Sequence, residues 1–349
     1  MIDTLAIVGA TGAVGRIILE LLVQREFPAR RIKLLASARS AGRTMEVAGR
    51  SFDVEELTPD SFSGVDVAIG STPDEVAAEF VPWAVARGTV VVDESGFFRM
   101  HPDVPLVIPE VNPEAIARHR GIIASPNCST TQMVMVMKPL HDAARITRVI
   151  VSTYQAVSGA GLAAAAELRD ASAAWLAGEV EPQRVFPHPI AANLIPQIGS
   201  PRAGGITSEE QKMILETRKM LQDESIAISA TCVRVPVANG HSESILIETE
   251  RKLSAEEARK LLAAAPGVVV VDDLAAKVYP TPRECSGRDE VFVGRIREDG
   301  SCASGIALWC VSDNLRKGAA TNAVQIAERL AADPVLLAGQ GRAGAAGKG

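Results

Sequence analysis

Seven residues near the N-terminus, Gly9-Ala10-Thr11-Gly12-Ala13-Val14-Gly15, constrain this chain more than any other segment. They separate a short apolar run, Leu5-Ala6-Ile7-Val8, from a helical pattern through Ile17, Ile18, Leu21 and Leu22 that ends near Phe27-Pro28. A strand, a glycine turn and a helix in that order aim backbone N–H groups, and the positive end of the helix dipole, at one point in space. Such a point holds a pyrophosphate, and the spacing G-x-x-G-x-x-G is a variant of the commoner dinucleotide fingerprint. Ordinary tight turns also need glycine. It is the strand–turn–helix setting that makes Gly9, Thr11, Gly12, Ala13, Val14 and Gly15 candidate cofactor contacts.

The pattern continues as alternating strands and helices. Strand candidates are Ile32–Ser37, Val65–Gly70, Thr89–Asp93, Leu106–Ile108 and Gly121–Ala124, with a helix at about Pro73–Arg87. This alternation predicts a doubly wound α/β sheet. Beyond about residue 145 the texture changes. Arg148–Ala156 and Ala227–Val237 alternate apolar and polar residues, and Ser244–Glu248 follows. Period-two strands predict a mixed or antiparallel sheet with helices on one face. Leu162–Leu176, Ser208–Leu221 and Asn314–Leu330 supply helix candidates, and Ala331–Gly349 is expected to be a flexible tail.

Length and charge bound the partners. A chain of 349 residues exceeds one hydrophobic core and favours two domains. With 36 Lys+Arg against 42 Asp+Glu the net charge is −6, and without a basic run a nucleic-acid partner is not expected. No apolar stretch reaches the roughly 18 residues of a membrane span. The start Met1-Ile2-Asp3-Thr4 has no signal-peptide character, so the expected location is cytoplasmic. Five widely spaced cysteines without a C-x-x-C pair suit free thiols in a reducing compartment and no metal site.

Three further segments carry chemistry. The second strand ends in Ser37-Ala38-Arg39-Ser40 where an NAD site usually has an acid. Two hydroxyls and a guanidinium suit a 2′-phosphate, so Ser37, Arg39 and Ser40 favour NADP over a merely solvated loop. Ser125-Pro126-Asn127-Cys128-Ser129-Thr130-Thr131-Gln132 places Cys128 at a strand-to-helix junction, where the helix dipole favours the thiolate. Cys232, Cys302 and Cys310 lie in apolar runs and read as inert core thiols. A nucleophile needs a base, and His241, at the junction of two strands, is the histidine best placed to supply one.

These motifs together resemble the aspartate-β-semialdehyde dehydrogenase family in its bacterial NADP-dependent form. The resemblance rests on the glycine loop, Phe98-Arg99-Met100, Val107–Asn112, Ser125–Gln132, Ser152–Gly161, Ala230–Val237 with His241-Ser242, and Val311–Ala320, in family order. It implies a Rossmann-like dinucleotide-binding domain, residues 1–127, completed by a C-terminal helix at 314–330. An α+β catalytic and dimerisation domain with a mixed sheet, residues 128–313, accompanies it. It also implies NADP-dependent reductive dephosphorylation of L-aspartyl-β-phosphate to L-aspartate-β-semialdehyde through a cysteine thioester. That step belongs to the biosynthesis of lysine (through diaminopimelate), threonine, methionine and isoleucine.

Residue by residue, the resemblance implies Cys128 as nucleophile, His241 as acid/base and Gln155 as the residue positioning substrate. It gives Arg234 to the substrate carboxylate, Glu209 to its ammonium, Arg99 and Lys212 to phosphate, and Asn127 to the substrate side. Ser158, Gly159, Asn314 and Lys317 would approach the cofactor, and the chain would form a homodimer or homotetramer. One departure stands out. Glu94 is a carboxylate where the family commonly has an amide, and Arg99 or Lys212 could pair with it. Two alternatives stay open: a related reductase of another acyl phosphate or acyl-CoA, and a non-catalytic dinucleotide-binding paralogue.

Overall fold

The computed structural model describes residues 2–342, which divide into two compact units, 2–127 with 319–342, and 128–318. The first unit is built on β1 (Ile2–Val8), α1 (Ala13–Gln24), β2 (Ala29–Ala36), β3 (Thr44–Val47), β4 (Arg50–Glu56), β5 (Val67–Gly70), α2 (Asp74–Ala86), β6 (Val90–Asp93) and β7 (Ile122–Ala124). Its strands form one sheet in the order β3-β4-β2-β1-β5-β6-β7, parallel except where β3 pairs with β4. β1 shows why an unbroken apolar run is needed here. Leu5 and Ile7 point into the core shared with Ile18, Leu19 and Leu22 of α1, while Ala6 and Val8 point into the opposite core with Ala77, Phe80 and Val81 of α2. Alternate residues of a strand face opposite sides, so a sheet covered on both faces must be apolar throughout.

The chain returns to this unit at its end. On α8 (Thr321–Ala332), Ala323, Val324, Ile326, Ala327 and Leu330 complete the core on the α1 face. Burying side chains such as Ile326 and Leu330 contributes roughly 1.5–3 kcal/mol each. Asn322 fixes the register of this helix by donating to the Val107 carbonyl at 2.9 Å and the Ser125 hydroxyl at 3.0 Å. Two expectations need correction. Leu106–Ile108 is no full strand but a single bridge from Leu106 to Ala124. The Asn112 side chain accepts from Ile108 N and donates to Leu106 O, and so takes the backbone groups that a ladder would use. Nor is 331–349 simply a tail. Pro334–Arg342 forms α9, started by Asp333 accepting from Val335 N, and its Leu336 carbonyl contacts His119 Nε2 at 2.7 Å. Residues 343–349 lie outside the described residues.

The second unit contains α3 (Cys128–Ala144), β8 (Ile146–Gln155), α4 (Leu162–Ala177), α5 (Ser208–Leu221), β9 (Ala227–Arg234), β10 (His241–Thr249), α6 (Ala255–Ala264), β11 (Val268–Val270), α7 (Pro282–Cys285), β12 (Val291–Asp299) and β13 (Gly305–Ser312). The sheet order is β11-β12-β13-β10-β8-β9, with β8–β9 and β11–β12 parallel and the other pairs antiparallel. α3, α5 and α6 pack on one face. On β8 the residues turned to that face, Val149, Val151, Thr153 and Gln155, are buried, whereas Ile150 and Tyr154 on the other face are exposed. The period-two alternation of the sequence is the consequence of this one-sided cover.

Candidate active site

In the first unit the glycine loop links β1 to α1. Gly9 has φ +83°, and a Cβ there would sit 2.2 Å from the Ser71 carbonyl oxygen; one at Gly15 would sit 2.3 Å from Gly9 O. Only glycine fits either position. α1 begins at Ala13, after Gly12, with no side-chain cap and no acid in its first turn, so its leading N–H groups are not taken by a neighbouring carboxylate. These features suit the pyrophosphate of a dinucleotide. At the end of β2, Ser37 and Arg39 are exposed, and Ser40 N donates to Ser37 O at 2.8 Å to close the turn that presents them.

Arg99 and Asn127 also belong to this unit and both are buried. The Arg99 guanidinium donates to the Ser125 carbonyl at 2.9 Å and the Glu94 carbonyl at 2.6 Å. It thus binds the backbone of Glu94; neither carboxyl oxygen of Glu94 has a hydrogen-bond partner, so Arg99 acts on that carboxyl by its nearby charge and not by a hydrogen bond.

In the second unit the polar residues converge at one end of the sheet because of strand register. Gln155 lies opposite Arg234 between β8 and β9, and His241 lies opposite Ser312 between β10 and β13. α5 delivers the acid. Gln155 Nε2 donates to Glu209 Oε1 at 3.2 Å, and the Lys212 ammonium lies 3.4 Å from Glu209 Oε2. Thr153 Oγ1 donates to Gln155 Oε1 at 3.0 Å, which sets the orientation of the amide. A capping box of Thr207 and Glu210 starts α5 and so fixes where Glu209 and Lys212 stand.

Arg234 Nη1 donates to the Ala156 carbonyl at 2.7 Å. Burial lowers its pKa, opposed chiefly by the negative charge of Cys128 and then Glu209. Cys128 therefore lies within electrostatic reach of Arg234. His241 is fully buried; its Nδ1 accepts from Ala156 N at 3.0 Å, and Nε2 has no partner. Burial, reinforced by Arg234, holds the imidazole well below its ordinary pKa. A Cβ on Gly159 would lie 3.3 Å from both Arg234 Nη1 and His241 Nε2, so a side chain at this position would crowd both.

Cys128 is the first residue of a 17-residue helix and is only partly buried. The helix N-terminus favours its thiolate. The other thiols differ. Cys232 and Cys310 are buried and pushed far up by desolvation, and Cys285 is pushed up to about 12. Asn314 and Ser158 are hydrogen-bonded side chain to side chain at 3.0 Å, Gly240 N donates to Asn314 Oδ1 at 2.9 Å, and Lys317 is fully buried.

The sequence reading passed over two features. A Cβ at Gly318 would meet the Cys128 Cβ at 2.9 Å, so this position admits only glycine beside Cys128; its place in the Val311–Ala320 motif was the available signal. Beneath α3, Ser312 Oγ donates to Gln132 Oε1 at 2.6 Å, and the fully buried Glu243 lies on the same side of β10 as His241, two residues earlier. Alternation along the strand foretells that facing, but not its burial.

Comparison with known proteins identifies the family. Residues 4–119 match the family model for the semialdehyde dehydrogenase NAD-binding domain, and residues 137–317 match that for the semialdehyde dehydrogenase dimerisation domain. The aspartate-semialdehyde dehydrogenase of Aquifex aeolicus is 51% identical over 335 residues, 95% of this chain and 98% of that protein. The Bacillus subtilis aspartate-semialdehyde dehydrogenase is 47% identical over 334 residues, 93% of this chain and 96% of its own. Among solved structures, aspartate semialdehyde dehydrogenase II from Vibrio cholerae, complexed with ASA, superposes with a TM-score of 0.92 at 46% identity, covering 95% of this chain and 99% of that one. The Candida albicans enzyme with NADP superposes at 0.76 and 27% identity, covering 96% and 100%. The two family models and these full-length likenesses make the chain a nicotinamide-dinucleotide enzyme of the aspartate-semialdehyde dehydrogenase family.

Proposed function

We propose that the chain catalyses the reversible, NADP-dependent reduction of L-aspartyl-β-phosphate to L-aspartate-β-semialdehyde and inorganic phosphate. The observation that carries this reading is the convergence of Gln155, Glu209, Arg234 and His241 at one sheet edge, beside the helix that begins with Cys128. The substrate carries a carboxylate and an ammonium, and Arg234 and Glu209 offer the complementary charges. Arg234 presents a planar fork suited to a carboxylate.

The Cys128 thiolate attacks the acyl carbon, the C–O bond to phosphate breaks, and a thioester forms with release of phosphate. Gln155, whose amide is held by Thr153 and Glu209, orients the acyl group toward the sulfur. Since Nδ1 of His241 takes the Ala156 N–H, the proton of the neutral ring stands on Nε2. A donor there stabilises the acyl oxygen as it gains negative charge, and the N–H groups at the start of α3 do the same. Arg99 and Lys212 hold the phosphate. When bound, the nicotinamide would supply the hydride to the acyl carbon; the C–S bond then breaks, which frees the semialdehyde and returns the thiolate to Cys128. The glycine loop holds its pyrophosphate, Ser37, Arg39 and Ser40 the 2′-phosphate, and Ser158, Gly159, Asn314 and Lys317 the remainder.

The open face of the second sheet supports a homodimer or dimer of dimers. It carries Ile150, Tyr154 and Trp309, with the last two rings 5.4 Å apart, and a cavity of about 470 Å³ lined in part by Ser244, Tyr279, Arg295 and Arg297. Free thiols suit a cytoplasmic location. The test of function is phosphate-dependent formation of NADPH from L-aspartate-β-semialdehyde, compared with Cys128→Ala. Wild type should be active and the variant should lose turnover while still binding cofactor. Binding without turnover in wild type would point to the non-catalytic paralogue.

A further inference from the structure

Glu94 follows β6 at the carboxyl edge of the parallel sheet, its N–H bonded to the Gly70 carbonyl at 2.9 Å. The next residue after Gly70 is Ser71, whose carbonyl oxygen lies 2.2 Å from where a Gly9 Cβ would stand. The glycine loop, the end of β5 and Glu94 therefore form one contiguous edge. Both carboxyl oxygens of Glu94 are buried without a hydrogen-bond partner, and so is the hydroxyl of Thr72 on the neighbouring strand end.

The charged groups around Glu94 are otherwise engaged. The Arg99 guanidinium bonds the carbonyls of Glu94 and Ser125. The Asp93 carboxylate accepts from Ser95 Oγ at 2.6 Å and from Ser95 N, and Asp74 accepts from Gly96 N at 2.7 Å. A buried carboxylate with no donor is costly, and the neutral acid is the cheaper form. Burial accordingly pushes the Glu94 carboxyl up to about 8, with Asp93 adding to the rise and the nearby Ser71 hydroxyl and Arg99 opposing it.

Sheet order identifies what would satisfy these atoms. In a doubly wound sheet the dinucleotide straddles the point where strand order reverses, here between β1 and β5. Its adenosine half lies over the β2 side, as Ser37 and Arg39 require, so its nicotinamide half lies over β5 and β6. We propose that Glu94, as the neutral acid, donates a hydrogen bond to the nicotinamide–ribose half of the bound dinucleotide, and that ionisation of Glu94 releases that half. A neutral carboxyl offers one donor and one acceptor, a match for the hydroxyl and amide groups found there.

The test is binding alone, by calorimetry, with no turnover. NADP or NAD, whichever binds tighter, is titrated at pH values from about 6.5 to about 9.5, beside adenosine 2′,5′-bisphosphate, which lacks the nicotinamide half. The dinucleotide Kd of the wild type should rise about tenfold or more between pH 7 and 9.5 relative to the fragment. Glu94→Gln, which keeps a donor and an acceptor but cannot ionise, should bind within about threefold of wild type at pH 7 and lose this extra pH dependence. Parallel pH curves for dinucleotide and fragment in wild type would overturn the proposal, whatever the variant does. So would Glu94→Gln retaining the wild-type slope. Because the readout is binding, a failed semialdehyde assay leaves this result unaffected.

Discussion

The backbone N–H of Ala156 donates to Nδ1 of His241 across 3.0 Å, joining the residue after Gln155 to the first residue of β10. That bond sets the tautomer, and burial with Arg234 beside it keeps the ring neutral. A base whose folded pKa is lowered stays uncharged to more acid pH than usual. The acid limb that His241 contributes to kcat/KM should therefore fall below the ordinary histidine value of about 6.5. His241→Ala should lower kcat/KM on the order of 10²–10⁴-fold. A pH–rate profile measured on both proteins checks this; a wild-type limb at 6.5 or above that disappears in the variant would contradict it.

Arg234 donates to the Ala156 carbonyl and lies beside Gly159, where an added Cβ would stand 3.3 Å from its Nη1. Arg234→Ala is expected to raise KM for the semialdehyde and lower kcat/KM by about 100-fold, with Arg234→Lys recovering only part because the planar fork is lost. An unchanged kcat/KM would remove Arg234 from the substrate site.

Arg39 stands exposed after β2, between two serines of one turn. Arg39→Ala should weaken NADP binding on the order of tenfold through loss of a charge-assisted bond, and leave NAD binding nearly unchanged. Fluorescence titration with both cofactors decides it, and equal losses for the two would rule out a 2′-phosphate contact.

Glu243 makes a stability prediction. It is fully buried under α3 and its carboxyl is held well above the ordinary range by desolvation, with Gln132 opposing. A carboxyl whose folded pKa is raised binds its proton more tightly in the native state than in the unfolded chain. Its contribution to stability is therefore greatest in acid and declines as pH rises from about 4.3 toward the folded value. Glu243→Gln should be the more stable protein at neutral pH, and its Tm advantage should widen as pH goes from about 5 to about 8. A constant gap measured by calorimetry would mean that Glu243 does not titrate differently in the two states.

Much of this molecule is readable along the chain because its signals are local. The span predicted for α5, Ser208–Leu221, is the observed one, since Thr207 and Glu210 cap its start within four residues. The glycine loop is equally local, its close approaches demanding glycine at Gly9 and Gly15. The hairpin of β3 and β4 went unread, although Phe52 and Val54 alternate with polar neighbours, because β3 is only four residues long and charged residues crowd β4. Leu106–Ile108 has the composition of a strand, yet the Asn112 side chain competes for its backbone and wins.

The sequence by itself determined the two sheets, one apolar throughout and one alternating, and it marked Cys128 by its place at a helix start. Only tertiary structure decided the protonation chemistry. Residues 128, 155, 209, 234 and 241 are far apart along the chain; strand register brings 155, 234 and 241 to one end of the sheet, and the packing of α5 adds Glu209. Burial then made His241 neutral, and it pushed the Glu94 carboxyl up although Arg99 lies near it. Burial and register are sums over distant contacts. A carboxyl or an imidazole has the same covalent structure in either setting, and its charge at neutral pH is set by what the fold places around it.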